Sequence, residues 1–150
     1  MDVRWDYRAF DDLRTIELYK ILALRGEVFV VEQKCIYKDA DGNDPKAMHV
    51  MGWRDESLVA YARVLPPGVK NTEPSIGRVA VAPEARGQGL GKRAMQKAME
   101  CIVTSFGPVP MLISAQANLT DTFYLTLGFK CRGDVYDEDG IPHIAMIYSP

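Results

Sequence analysis

Histidine and cysteine are scarce in this 150-residue chain, with two of the first and three of the second. Cys35, Cys101 and Cys131 are odd in number, far apart, and nowhere in a Cys-x-x-Cys pair. That spacing argues against a disulfide framework or a zinc site, and for a reduced, intracellular protein whose thiols act as small buried hydrophobes. No apolar run approaches the length of a membrane span. Met1-Asp2-Val3-Arg4-Trp5 lacks the basic start and apolar core of a secretion signal, so a cytoplasmic location is expected. Charge of one sign is not in excess either: 18 Lys and Arg against 20 Asp and Glu leave a net −2. There is no general attraction for nucleic acid or an anionic bilayer, and neither is expected as a partner. No repeat, low-complexity tract or long linker divides residues 1–150, which are expected to form one domain.

What remains is an ordinary globular composition, 47% hydrophobic and 25% charged, with clear periodicity. Val3, Trp5 and Tyr7 alternate with Arg4 and Asp6 as in a half-buried strand. Asp11-Asp12 offers an N-cap for a helix whose Leu18, Ile21, Leu22, Val28 and Phe29 share one face. Strands are predicted at Met48–Trp53 and Leu58–Leu65 as a hairpin across Asp55-Glu56-Ser57, then at Ile76–Ala82. A second helix carries Leu90, Ala94, Ala98, Cys101 and Ile102 on one side and ends before Gly107-Pro108. A strand Met111–Gln116, a short helix Asp121–Leu127 closed by Gly128, and strands Lys130–Tyr136 and His143–Tyr148 complete the chain. The order β-α-β-β-β-α-β-α-β-β predicts an α/β (α+β mixed) fold, with one central mixed sheet of about six or seven strands flanked by helices.

The most informative stretch is Arg86-Gly87-Gln88-Gly89-Leu90-Gly91-Lys92, which joins the strand Ile76–Ala82 to the second helix. A strand, a glycine-rich turn and a helix N-terminus in succession aim free N–H groups and a helix dipole at one point. That arrangement suits a phosphate, and a pyrophosphate best. A P-loop is disfavoured because Arg86 stands where its first glycine belongs and Arg93 replaces its Ser or Thr. The dinucleotide fingerprint is one residue short.

The hexapeptide does fit Gln/Arg-x-x-Gly-x-Gly/Ala at every position, and so resembles the acetyl-coenzyme A loop of the GCN5-related N-acetyltransferases (GNAT). Val28-Phe29-Val30-Val31-Glu32-Gln33, Tyr37-x-Asp39-x-Asp41-Gly42, Ala115-Gln116-Ala117 and Asp139-Gly140-Ile141-Pro142-His143 are similar to the ElaA-like branch of that family. The resemblance implies that strands Ile76–Ala82 and Met111–Gln116 splay apart to bind acetyl-CoA. Val79, Ala80 and Val81 would then line the pantetheine arm, with the Val81 N–H as oxyanion donor. Arg86, Gly87, Gln88, Gly89, Leu90, Gly91 and Lys92 would hold the pyrophosphate. Asn118 stands where a histidine is common in the branch and is counted with the coenzyme contacts.

For chemistry the resemblance implies Tyr124, four residues before Gly128-Phe129, as the acid that protonates the leaving thiolate. With a phenol near pKa ~10 and a thiol near ~8.5, it is protonated when needed. Tyr124 is also counted among the coenzyme contacts; its structural alternative is a core aromatic beside Phe123. The base for the amine is expected among Glu32, His143 and His49. Partial burial of Glu32 would raise its pKa toward neutrality, while His49 alternates into an apolar strand and reads as a core or rim residue. Asp39-x-Asp41-x-Asn43 resembles the start of a calcium loop, but Asp44 and Val50 stand where glycine and glutamate are needed. No metal is expected, and these acids are expected to rim the acceptor pocket.

The resemblance therefore implies direct, acetyl-CoA-dependent transfer to a small amine, an amino sugar, or a peptide or lysine amine. The alternatives are a non-catalytic acyl-CoA sensor and an acyltransferase with a longer donor. Edge strands leave a homodimer open.

Overall fold

The computed structural model describes residues 2–119 and 123–150. Strands β1 (Arg4–Ala9), β2 (Met48–Arg54), β3 (Ser57–Leu65), β4 (Ser75–Val81), β5 (Met111–Gln116), β6 (Lys130–Glu138) and β7 (Ile141–Tyr148) form one sheet. Its order is β1-β2-β3-β4-β5-β7-β6. Every neighbouring pair is antiparallel except β4 and β5. Helices α1 (Thr15–Arg25) and α2 (Leu90–Phe106) cover opposite faces. The alternation of β2 and β3 shows how: Tyr61 stacks on Arg25 and Trp53 on Lys20, both of α1. Trp5 crowds the other face of Gly52 and stacks on Arg93 of α2.

The strand boundaries agree with the alternation of the sequence to within two residues, and Met111–Gln116 agrees fully. The β6–β7 hairpin turns through Asp139-Gly140, both with positive φ, as a tight two-residue connection requires. α2 buries Leu90, Ala94, Met95, Ala98, Cys101 and Ile102, one stripe at helical spacing. Gly107, at φ 85°, ends it.

Helix α1 departs from expectation. Asp11 and Asp12 lie in a separate 3-10 turn, and the helix starts after Arg14, whose N–H donates to Glu17 Oε1 at 2.7 Å. Beyond Arg25 the helix widens into a π-helical stretch, Gly26–Glu32. The buried stripe is Glu17, Ile21, Leu24, Arg25 and Val28, at ordinary helical spacing, so Leu22, expected on it, falls to the exposed side. The short helix expected at Asp121–Leu127 begins outside the described residues; Leu125–Leu127 forms a 3-10 turn. Cys101 is buried as expected, but Cys131 is exposed and Cys35 only partly covered.

Three arginines set in apolar runs, Arg25, Arg63 and Arg78, meet Asp39, Asp41 and Asp44 of the loop before β2. Arg25 donates to Asp39 Oδ2 at 2.9 Å and Asp44 Oδ1 at 2.7 Å. Arg63 forks onto Asp41 at 2.8 Å and reaches Asp44 at 3.0 Å. Arg78 reaches Asp39 Oδ1 at 2.9 Å and Asp41 Oδ2 at 3.3 Å. Tyr37 donates to Asp39 and stacks on Arg78. Burial pushes the Asp41 and Asp44 carboxyls up, but the guanidinium groups of Arg63 and Arg25 outweigh it and hold both below the usual carboxylate range. These acids are spent inside the protein and do not offer charge to an acceptor, which corrects the expectation for this loop.

Removing one partner of such a buried set strands the others. Asp44→Ala is therefore expected to cost about 3–5 kcal/mol in urea unfolding. Because the folded pKa values lie below 3.8, the network's contribution is complete above that pH and fades as pH falls through the folded values. A urea series from pH 6 down to about pH 2 checks this: stability should hold to about pH 4 and fall below it, and no fall below about pH 4 would contradict it.

Candidate functional site

The parallel ladder of β4 and β5 contains only Ser75 opposite Leu112 and Ile76 opposite Ile113. Beyond these the strands part. On the β3 side, β4 carries a bulge: Tyr61 faces Ala80 and Arg63 faces Gly77, so Arg78 and Val79 together oppose Ala62. Arg78 has φ 50°, a left-handed conformation uncommon outside glycine, and its ion pairs to the aspartate loop hold it there. Ala82 N–H donates to Val59 O at 2.9 Å. Backbone groups alternate along an extended strand, so the N–H and C=O of Val81 face the open side of the fork.

At the end of β4 the chain passes through Gly87 and Gly89, with φ of 80° and 74°, into α2. A Cβ at either would meet nothing within 4 Å, so the protein itself leaves that space open. Gly91 lies in the first helical turn; its Cβ would sit 3.7 Å from Phe123 and Val81, ordinary contact that agrees with a Gly/Ala position. Arg93 N–H bonds back to Gly89 O at 3.2 Å, leaving the amides of Leu90, Gly91 and Lys92 without an intrahelical partner.

Fork and loop together form a groove of about 620 Å³. Val79, Ala80 and Val81 make one wall, and Arg86, Gly87, Gly89, Leu90, Gly91 and Lys92 the end. Phe123, Tyr124 and His143 line the opposite side. Gln88 and Asn118 are exposed and stand outside this lining; Gln88 accepts from Arg54 at 2.6 Å. Tyr124 packs edge-on against Phe123 at 4.8 Å, and burial pushes its phenol above the usual pKa of 10. It is fully protonated at neutral pH.

The base candidates separate. His49 is fully buried. Its Nε2–H must donate to Asp44 O at 3.0 Å, so the neutral ring accepts from Tyr61 Oη through Nδ1 at 2.6 Å. Burial pulls its pKa down, and it is a core residue away from the groove. Glu32 is exposed, and Arg86 grips both its carboxylate oxygens, Nη2–Oε1 at 2.6 Å. That contact holds its pKa below the ordinary range, the reverse of the expected rise. The Arg86 guanidinium also meets Val81 O at 3.2 and 3.3 Å, lying across the open edge of β4. His143 is buried against the groove, with Nδ1–H donating to Ile141 O at 2.7 Å and Nε2 3.5 Å from Glu138. Ser114, Tyr136 and Glu138 were not foreseen. A hydroxyl in the apolar strand Met111–Gln116 was the one signal pointing to them.

A family model described as an acetyltransferase (GNAT) domain matches residues 17–150. A UPF0039 protein of Synechocystis is 42% identical over 149 residues, 99% of this chain and 96% of its own. Protein ElaA of Escherichia coli K12 is 40% identical over 146 residues, 96% of this chain and 95% of its own. The crystal structure of an acyl-CoA N-acyltransferase from Pseudomonas aeruginosa superposes with a TM-score of 0.94 at 43% identity, covering 99% of this chain and all of that one.

The pair Glu32–Arg86 competes with any anion at the loop. Glu32→Gln is therefore expected to tighten coenzyme A binding measured by calorimetry, by no more than about fivefold, since exposed ion pairs are weak. Weaker binding would show that the pair prepares Arg86 instead of occupying it.

Proposed function

The chain belongs to the GNAT acetyltransferase family, in its ElaA-like branch, and from that membership we propose that it transfers acetyl from acetyl-CoA directly to a primary amine. It is an acyltransferase. The observation that carries the finer reading is the continuity of the groove, from the free amides at the start of α2 to the fork between β4 and β5. The diphosphate sits on the amides between Gly87 and Lys92, where N–H groups and the helix dipole converge. Arg86 leaves Glu32 to join it. Pantetheine follows β4, pairing with backbone of Val79 and Val81 as an added strand would. Val81 stands beside Gly91 at the diphosphate end, so the thioester carbonyl lies deeper in the fork and meets the Val79 N–H, in place of the Val81 N–H that the resemblance implies.

The deprotonated amine attacks the carbonyl carbon, the C–S bond breaks, and the thiolate takes the Tyr124 proton. The second proton of the amine nitrogen then restores Tyr124. Its raised pKa keeps the phenol available as donor throughout the neutral range. No covalent enzyme intermediate is involved: the one cysteine beside the groove, Cys35, points its thiol at the Asp139 carbonyl, 3.1 Å away. The acceptor is a small amine, an amino sugar, or a peptide or lysine amine.

Thiol release from acetyl-CoA, measured against amines, amino sugars, polyamines and peptides, tests this reading. On any accepted amine, Tyr124→Phe is expected to lower kcat about 100-fold or more while leaving acetyl-CoA affinity in place. Unchanged turnover would remove Tyr124 from the chemistry. Gly89→Trp places a ring in the open space at the loop and is expected to weaken acetyl-CoA binding at least ~10-fold, or ~1.4 kcal/mol. Undiminished affinity would move the diphosphate elsewhere.

A further inference from the structure

The acids around the groove are nearly all matched. Asp39, Asp41 and Asp44 are held by arginines, and Glu32 by Arg86. Two acids line the groove itself, Glu138 and Asp139, and among the described residues no lysine or arginine nitrogen lies within ion-pair distance of either; Asp139 is exposed in the turn, whereas Glu138 is half-buried. Its polar contacts are Ser114 Oγ, 3.1 Å from Oε1, and His143 Nε2, 3.5 Å from Oε2. Ser114 in turn hydrogen-bonds Tyr136 Oη. Because the Ile141 carbonyl can only accept, the proton of neutral His143 stays on Nδ1 and Nε2 is left facing the carboxylate.

The position is equally specific. Ser114 is the first residue of β5 beyond the last parallel pair, Ile76 with Ile113. Ser114 and Glu138 line both the large groove and a second cavity of about 170 Å³, bounded also by Arg63, Ser75 and Tyr136. Arg63 lies on the α1 face of the sheet, so this cavity reaches the fork from that side. Glu138 thus stands in the wall shared by the donor's groove and a separate approach. The smaller space is below the usual size of a ligand pocket, roughly 300–1,000 Å³, and suits the slender end of an alkylamine better than a sugar ring.

Resting on the acetyltransferase reading above, we infer that the Glu138 carboxylate docks the acceptor's ammonium and takes its first proton, with Ser114, which donates to its Oε1, as the positioning residue. The ammonium R–NH3+ passes one proton to the carboxylate, which becomes the neutral acid and later releases it to water. The freed lone pair forms the C–N bond as the C–S bond breaks. The nitrogen's second proton replaces the one Tyr124 gives to the thiolate. The reaction therefore yields amide, free thiol and one proton. The preferred acceptor is an unbranched primary amine reaching the fork from the α1 face.

Two measurements test this, with propylamine as the probe. In thiol-release kinetics, Glu138→Gln is expected to lower kcat about 100-fold with KM for acetyl-CoA unchanged, and Glu138→Asp to recover part of the loss. Wild-type kcat in Glu138→Gln would overturn the proposal. In carbon-13 NMR of protein labelled at glutamate carboxyls, the Glu138 signal, assigned by its loss in Glu138→Gln, should move on adding propylammonium but not propanol. A signal that ignores both, or answers both alike, would overturn it whatever the enzyme's activity. A signal that moves while no amine releases thiol would support ammonium docking and count against the acetyltransferase reading alone.

Discussion

Two neighbouring parallel strands that stop pairing in the middle of a sheet create a demand that the protein does not meet from within. Beyond Ile76 and Ile113, the inner edges of β4 and β5 carry backbone donors and acceptors with no strand between them. An unmatched amide in a low-dielectric groove is costly. A ligand with its own amides, laid along β4, satisfies those groups and is held in one register. The Arg86 guanidinium already meets the Val81 carbonyl by this logic. The free amides at the start of α2 extend the same unmet demand to an anion.

The rest of the molecule keeps that fork open. The bulge at Arg78–Val79 pulls β4 out of even register with β3, and Arg78 remains in a left-handed conformation because Asp39 and Asp41 fix its guanidinium. Arg25 and Arg63 tie the same aspartate loop to α1 and β3. The buried ion network thus connects the helix, the loop and the fork. On the far side, pairing of β5 with β7 through Gln116 opposite His143 holds the second edge. The short β6–β7 turn brings Glu138 up to Ser114.

Much of this was legible in the sequence, for identifiable reasons. Apolar runs bounded by turn residues located β2 and β3 because both of their faces are covered, and the Asp139-Gly140 turn gave its own signal. The loop from Arg86 to Gly91 was readable because positive φ and open space demand glycine. The start of α1 was misplaced: the capping contact comes from Glu17 to the Arg14 backbone, not from the acidic pair before it. The π-helical stretch after Arg25 has no sequence marker, and Leu22 faces solvent because the buried stripe runs through Ile21, Leu24 and Arg25, the last a charged residue that an apolar pattern does not count. The expectations for Glu32 and the aspartate loop were reversed because a carboxylate's pKa depends on partners distant in sequence. Arg86 lies 54 residues from Glu32, and Arg63 22 from Asp41. Arginines in apolar runs, Arg63 and Arg78 above all, were the signal that those acids had partners. Glu138 was invisible because only the pairing of β5, β7 and β6 brings it to the fork.

Amide hydrogen exchange with and without acetyl-CoA addresses the fork most directly. The amides of Val79 and Val81, and those from Gly87 to Lys92, should be poorly protected in the free protein and become strongly protected in the complex, while those of β1 and β2 stay unchanged. Protection appearing elsewhere, with these amides exchanging at their free rates, would contradict the account.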